Sequence, residues 1–321
     1  MEAKNLRIPE YDRAPLERWE ARIRSIEAKI QHGVHFVFLT DYHAKYNSCT
    51  SPALVRHLLA HTGLTHCFFG GDAINHEKTA ARMLAAQRDF VSLFGSMGAD
   101  FYTVIGNHEY YVWENTPAEG GKPTAEQVFD AMCAHFAAQM TARGPLGSYV
   151  LCRPAEKVCY LTVPCDFDCL ISADLIAFLA EECLKIPEGY SCIAVGHAFV
   201  NNDTAPSFIR GDHLPICALL DALNAGGTFD FGGKRYDYSG ARQRTVVGIF
   251  SGHTHDDEFF RTEGGLPLIV TTSDAGQLDM ALERTVGTPL EQAFDAVDID
   301  FDRRVIHLTR IGAGEDREYT Y

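Results

Sequence analysis

The sequence predicts an α/β protein, and two observations predict it. Short apolar runs rich in Val, Ile and Phe occur near residues 34–39, 65–69, 101–105, 192–195 and 245–250, and helical patterns separate the first three. Each of these five runs also ends at once in polar residues: Asp41-Tyr42-His43, Gly70-Gly71-Asp72, Gly106-Asn107-His108-Glu109, Gly196-His197 and Gly252-His253-Thr254-His255. In open α/β sheets, ligands bind beyond the carboxyl ends of the strands. A chain of 321 residues can bury a large core. Its length suits two domains or one large layered α/β unit. The division taken here is a helical extension at 1–33 followed by one domain at 34–321.

Taken in order, the first element is a helix over 14–32, with Pro15 in its first turn and Ile23, Ile26 and Ile30 on one face. Helices are expected to open at Ser51-Pro52 and to run from Glu77 to Phe94. Another opens at Thr124, which has a glutamine at capping-box spacing, Gln127. Strands near 147–151 and 158–163 precede a helix from Ser172 to Leu184. Residues 224–240 read as a hairpin insertion. The segments PLIVTT, FDAVDIDF and RVIHLTRI alternate as half-exposed strands. Residues 113–123 and 198–213 have the Gly, Pro, Asn and Asp content of surface loops that border a site.

Composition narrows the function. No apolar run approaches the ~20 residues of a membrane span, and the N-terminal stretch lacks the apolar segment of a signal peptide. A cytoplasmic protein without a membrane partner is expected. The ten cysteines mostly lie in apolar surroundings and are expected to be reduced, buried thiols. Cys165 and Cys169 are spaced wrongly for a zinc knuckle. The net charge of −15 repels a nucleic-acid backbone, yet leaves room for a local basic or metal-bearing site that binds a small anion.

The polar strand ends carry the chemistry. In an extended segment, residues two apart point to one side, so Asp41 and His43 are expected to reach one ion, and His253 and His255 a common site. The glycines before Asp72, Asn107, His197 and His253 suit sharp exits and close backbone approach. Asp41, His43, Asp72, Asn107, His197, His253 and His255 form a nitrogen and oxygen ligand set without thiolate, which suits Mn, Fe, Zn, Co or Ni. Seven ligands are too many for one tetrahedral ion and suit two ions that share a carboxylate, roughly 3.5–4 Å apart. Each block alone has a bland reading as a turn, a surface pair or a core histidine. The ordered set of five carries the inference.

With DYH, GGD, GNHE, GH and GHTH in this order, the chain resembles the calcineurin-like metallophosphoesterases. The resemblance implies a four-layer α/β/β/α sandwich, with two mixed sheets flanked by helices. It implies that Asp41, His43 and His255 hold one divalent ion, that Asn107, His197 and His253 hold a second, and that Asp72 bridges them. His108 matches the family's non-ligand histidine beside the leaving-group oxygen. The implied activity is hydrolysis of a phosphate mono- or diester, in a small phosphorylated substrate, by a hydroxide carried on the metals. A nuclease of the same superfamily and a non-catalytic interaction scaffold are the alternatives, and the charged N-terminal segment is where a scaffold would dock a protein partner. One departure is the VGHAFV context of His197, where many members follow this histidine with Pro or a second His. Tyr110, Tyr111, Trp113, Arg210 and His213 lie near the blocks, but the sequence assigns no substrate contact to them.

Overall fold

Phe36 and Phe38 point to one side of their strand and His35 and Val37 to the other, so the strand must be covered on both faces. The computed structural model describes residues 7–44, 50–113, 121–201, 206–241, 245–276 and 282–321. The strands, in order, are β1 (Gly33–Leu39), β2 (His66–Phe69), β3 (Asp100–Thr103), β4 (Ala142–Arg143), β5 (Tyr149–Arg153), β6 (Val158–Val163), β7 (Ser191–Gly196), β8 (Val200–Asn201) and β9 (Phe208–Ile209). They continue with β10 (Thr228–Phe231), β11 (Lys234–Asp237), β12 (Thr245–Ser251), β13 (Glu258–Arg261), β14 (Pro267–Val270), β15 (Ala293–Asp300), β16 (Val305–Gly312) and β17 (Arg317–Thr320). The helices are α1 (Arg13–Glu27), α2 (Ser51–His61), α3 (Ala80–Gly95), α4 (Ala125–Met132), α5 (Ala173–Lys185) and α6 (Leu214–Ala225).

Two mixed sheets stack face to face. One has the order β17-β16-β15-β1-β2-β3, the other β13-β14-β12-β7-β6-β5-β4. Aromatic contacts join their inner faces: Phe36 meets Phe250 at 5.6 Å and Phe68 meets Tyr160 at 4.4 Å between ring centroids. Polar links also join the two sheets, among them His66 Nε2 to the Tyr160 hydroxyl at 2.8 Å and the Tyr149 hydroxyl to Thr103 O at 3.0 Å. Burial pushes the His66 imidazole well below its ordinary pKa, so it stays neutral there. Helix α1 packs outside β15 and β16, and α6 packs outside β12. This is the α/β/β/α layering the resemblance implied. Strands β1, β2 and β3 run parallel, as do β7 and β12, so the five motif-bearing ends gather at two neighbouring edges.

Most expected elements form, and the differences have local causes. Helix α3 starts at Ala80 rather than Glu77 because the Thr79 side chain caps it, accepting from the Arg82 N–H. Glu77 is drawn instead into a bridge with Val112. Both arms of the capping box at Thr124 and Gln127 form, at 2.9 and 3.2 Å. The hairpin β10–β11 turns on Gly232 and Gly233, both left-handed at φ 59° and 75°. Helix α6 lies outside the expected elements. Its signals were Pro215 in the first turn and the left-handed Gly226 cap.

Two expectations are corrected. Cys152 and Cys159, directly opposite on β5 and β6, form a disulfide. The seven other described cysteines are free and buried. Strands β14 and β15 are buried at every position instead of half exposed, and α1 packs against β15. Asp295 is therefore a carboxylate in the core. Burial alone would raise its pKa, but the Arg310 and Arg317 guanidiniums outweigh burial and hold it low. Arg310 donates to Asp295 at 2.9 Å and to Asp257 at 2.7 Å, tying the core strand to the loop after β12. Among the described residues no helix is long and apolar enough to cross a membrane.

Arg310→Met removes one of the two guanidiniums that Asp295 and Asp257 share and leaves Arg317 alone with both carboxylates. We expect a loss of about 3–5 kcal/mol in unfolding free energy, measured by urea titration. A loss below about 1 kcal/mol would show that Arg317 and water are enough to satisfy both carboxylates.

Candidate metal centre

Strand β1 ends at Leu39, and its polar end does not stay extended. Asp41 and His43 have φ of 53° and 43°, Asp72 62°, and His253 and His255 78° and 58°. All five are non-glycine residues in the left-handed region, which L side chains adopt at a cost. Asp41 and His43 therefore converge through a tight coil and not through the two-residue period of a strand, which corrects the expectation from spacing. A ladder of backbone bonds holds the coil: Asp41 N to Gly71 O at 2.9 Å, His43 N to Asp72 O at 3.0 Å and Ala44 N to Ala73 O at 3.0 Å. On its other flank, Asp274 N donates to Thr40 O at 3.0 Å.

Glycine makes the close approach possible. Gly71 has φ 104°, and a Cβ there would sit 2.7 Å from His197 Nδ1. A Cβ on Gly106 would fall on Asp72 Oδ1, and one on Gly252 on the Thr40 hydroxyl.

Two clusters result. In the first, His255 Nε2 lies 3.2 Å from His43 Nε2 and 3.3 Å from Asp41 Oδ1, and His43 Nε2 is 3.7 Å from Asp41 Oδ1. In the second, His197 Nε2 lies 3.1 Å from both Asp72 Oδ2 and Asn107 Oδ1, and His253 completes a group with Asp72 and His197. His253 and His255 thus serve different clusters rather than a common site, as the resemblance implied. Asp72 Oδ2 faces both, 3.9 Å from His43 Nε2.

These groups fit divalent cations. Bonds of about 2.1 Å to one ion put neighbouring ligand atoms about 3.0–3.5 Å apart. Asp41 Oδ1 is buried without a hydrogen-bond partner, while its Oδ2 accepts from the Thr40 hydroxyl at 2.6 Å and the His253 N–H at 3.0 Å. His197 Nδ1 donates to Gly70 O at 2.8 Å, so its Nε2 faces two oxygens and needs a proton or a metal ion between. Burial opposes the charged imidazole of His197, yet the Asp72 and Asp41 carboxylates overcome it and push the pKa up to about 10. Likewise Asp41 is held well below the ordinary range, against burial, by the surrounding imidazoles.

Glu109 is a site residue that the sequence reading left without a role. Its buried carboxylate accepts from Ala73 N at 2.7 Å, Asp72 N at 3.1 Å and Gly106 N at 2.7 Å, stitching the loop after β2 to the loop after β3. Burial and the Asp72 charge push its pKa up to about 7, against these N–H donors and His197. Its place in the GNHE block was the available signal. His108 sits beside the first cluster. Its N–H donates to Asp72 Oδ1 at 2.9 Å, its Nδ1 bonds the Asn75 carbonyl, and its Nε2 is 4.0 Å from Asp72 Oδ2. Cys169 was also missed as a neighbour of the site; its Sγ lies 3.8 Å from His253 Nε2.

A family model for calcineurin-like phosphoesterases matches residues 34–257. The chain belongs to this family. No curated protein sequence matches it. Among solved structures, a dimetal phosphatase from Danio rerio is similar with a TM-score of 0.55 and 12% identity, over 90% of this chain and 99% of that one. A 5'-nucleotidase from Candida albicans gives a TM-score of 0.42 and 18% identity, over 84% of this chain and 52% of that one. In the calcineurin-like fold of this chain, all eight residues drawn from the motifs stand at the two clusters or against them. Arg210 and His213 do not join: Arg210 pairs with Asp212 at 3.4 Å, and His213 is buried beside Phe199.

Metal titration distinguishes the clusters. The wild type is expected to bind two equivalents of Mn or Zn, His255→Ala about one, and Asp72→Ala to lose affinity at both. Elemental analysis after equilibrium dialysis measures this. A wild-type stoichiometry in Asp72→Ala would show that no carboxylate is shared.

Proposed function

We propose that the chain hydrolyses a phosphate mono- or diester with two divalent ions, of Mn, Fe, Zn, Ni or Co, held by the motif residues. The observation that carries this reading is Asp72, whose Oδ2 faces both histidine clusters while His108 stands beside it. When bound, such a pair of ions supplies Lewis acidity for the phosphate oxygens and lowers the pKa of water. Asp41, His43 and His255 form one ligand group, Asn107, His197 and His253 the other, and Asp72 joins them. Two dications outweigh the charges of Asp41 and Asp72, so the centre attracts a phosphate within an acidic chain. The net charge of −15 favours a small phosphorylated molecule over a nucleic acid.

His108 acts on the leaving group. The Asn75 carbonyl accepts from its Nδ1–H, so Nε2 is left to face the centre. In the imidazolium form Nε2–H donates to the departing oxygen, a role typically worth ~10²–10⁴ in rate.

The test uses nitrophenyl phosphate mono- and diesters with and without chelator, with each of the five metals added back. Metal-dependent turnover is expected, with His108→Ala losing ~10²–10⁴ in kcat at unchanged metal content. Loss of metal in that variant would make His108 a ligand instead. Inertness with every metal would leave a scaffold, and degradation of DNA a nuclease.

A further inference from the structure

We propose that the loop after β6, residues 164–171, belongs to the leaving-group side of the centre: its Phe167 holds Tyr111, and Tyr111 holds the His108 ring in one orientation. This rests on the leaving-group role of His108 proposed above. Tyr111 and Phe167 are positioning residues, since neither lies within the two ligand clusters.

The argument starts from how little else fixes His108. Among the described residues its side chain makes one hydrogen bond, from Nδ1 to the Asn75 carbonyl. One bond sets the tautomer but lets an imidazole swing about that bond, because the terminal torsion of histidine is broad. Two ring contacts remove the swing. The His43 ring meets it edge to face at 4.8 Å and 89°, and the Tyr111 ring lies nearly parallel to it at 5.4 Å and 23°. Offset parallel and edge-to-face arrangements are the favoured geometries for such pairs.

Tyr111 is itself backed. Phe167 stacks on it at 5.6 Å and 22°, and the Lys122 ammonium sits 3.1 Å from the Phe167 centroid. The result is a column of three near-parallel rings capped by a cation, running outward from the centre. Core packing does not explain it, since Tyr111 is 39% exposed. The loop that supplies Phe167 is fixed before any ligand arrives. Asp166 Oδ1 accepts from Asp168 N and Leu170 N, both at 2.9 Å, and Cys165 N donates to Ile105 O at 3.3 Å. The same loop reaches His253 through Cys169. One loop thus braces a histidine at each end of the centre.

The consequence is a loss of turnover without loss of binding, since small misplacements near reacting atoms cost rate steeply. Tyr111→Leu is expected to lower kcat about tenfold, with KM within about twofold and metal content unchanged. Phe167→Leu is expected to act in the same direction more weakly. Tyr111→Phe keeps the ring and is expected to keep most of the turnover. Long-range proton–nitrogen spectra of the metal-free protein supply a second readout, with His108 assigned by its absence in His108→Ala. The wild type and Tyr111→Phe should show one sharp Nδ1-protonated ring, and Tyr111→Leu and Phe167→Leu the same tautomer with its signals broadened and shifted by motion of the ring. A wild-type kcat with a wild-type imidazole spectrum in Tyr111→Leu overturns the proposal, as does a metal loss that tracks the kcat loss. If Tyr111→Leu fails to melt cooperatively, Phe167→Leu carries the test alone. If the wild type hydrolyses no ester, the phosphoesterase reading fails, and the spectra still decide whether the column orients His108.

Discussion

Asp72 has no exposed surface to spare and two oxygens with different duties: Oδ1 takes the His108 N–H, and Oδ2 stands open to imidazoles from both clusters. A carboxylate so placed needs positive charge on both sides, because burial alone penalises the anion. The site follows from satisfying that need. The loop after β1 brings His43, the loop after β7 brings His197, and Glu109 fixes the backbone on which Asp72 sits.

The arrangement stores backbone strain. Five candidate ligands occupy the left-handed region, each at a cost that the surroundings must offset. The offset is visible in the ladder between the loops after β1 and β2, and in the three N–H groups on Glu109. Such over-determined loops keep ligand atoms in place before a cation arrives, which is the pre-organisation that electrostatic catalysis requires. The sheets contribute rigidity, since the loops leave adjacent strands whose inner faces interlock through Phe36, Phe38, Phe68, Tyr160 and Phe250. The Arg310 network extends this rigidity to the loop after β12, as Asp257 lies two residues beyond His255.

How much of this the sequence discloses depends on whether a feature is local. The five motif blocks are linear, and each follows an apolar run, so the strands and the residues that gather at the two clusters were legible together, while the layer order came from the resemblance those blocks carry. The Thr124 capping box was legible for the same reason. What stayed hidden depends on distant partners. The half-exposed reading of β15 failed because alternation along FDAVDIDF cannot report that Asp295 meets Arg310 and Arg317. Pairing of Cys152 with Cys159 needed the register of β5 on β6. The convergence of Asp41 and His43 was foreseen, but through the wrong backbone geometry, because nothing in Asp-Tyr-His itself declares a left-handed coil. Phe167 and Tyr111 lie far apart in sequence, and only the fold reveals them as one stack.

Anomalous diffraction from manganese-loaded crystals tests the central claim most directly, by locating the ions themselves. The account predicts two peaks roughly 3.5–4 Å apart, with one Asp72 oxygen between them, His43 and His255 around one peak and His197 and His253 around the other. A single peak, or two peaks that share no Asp72 oxygen, would contradict it.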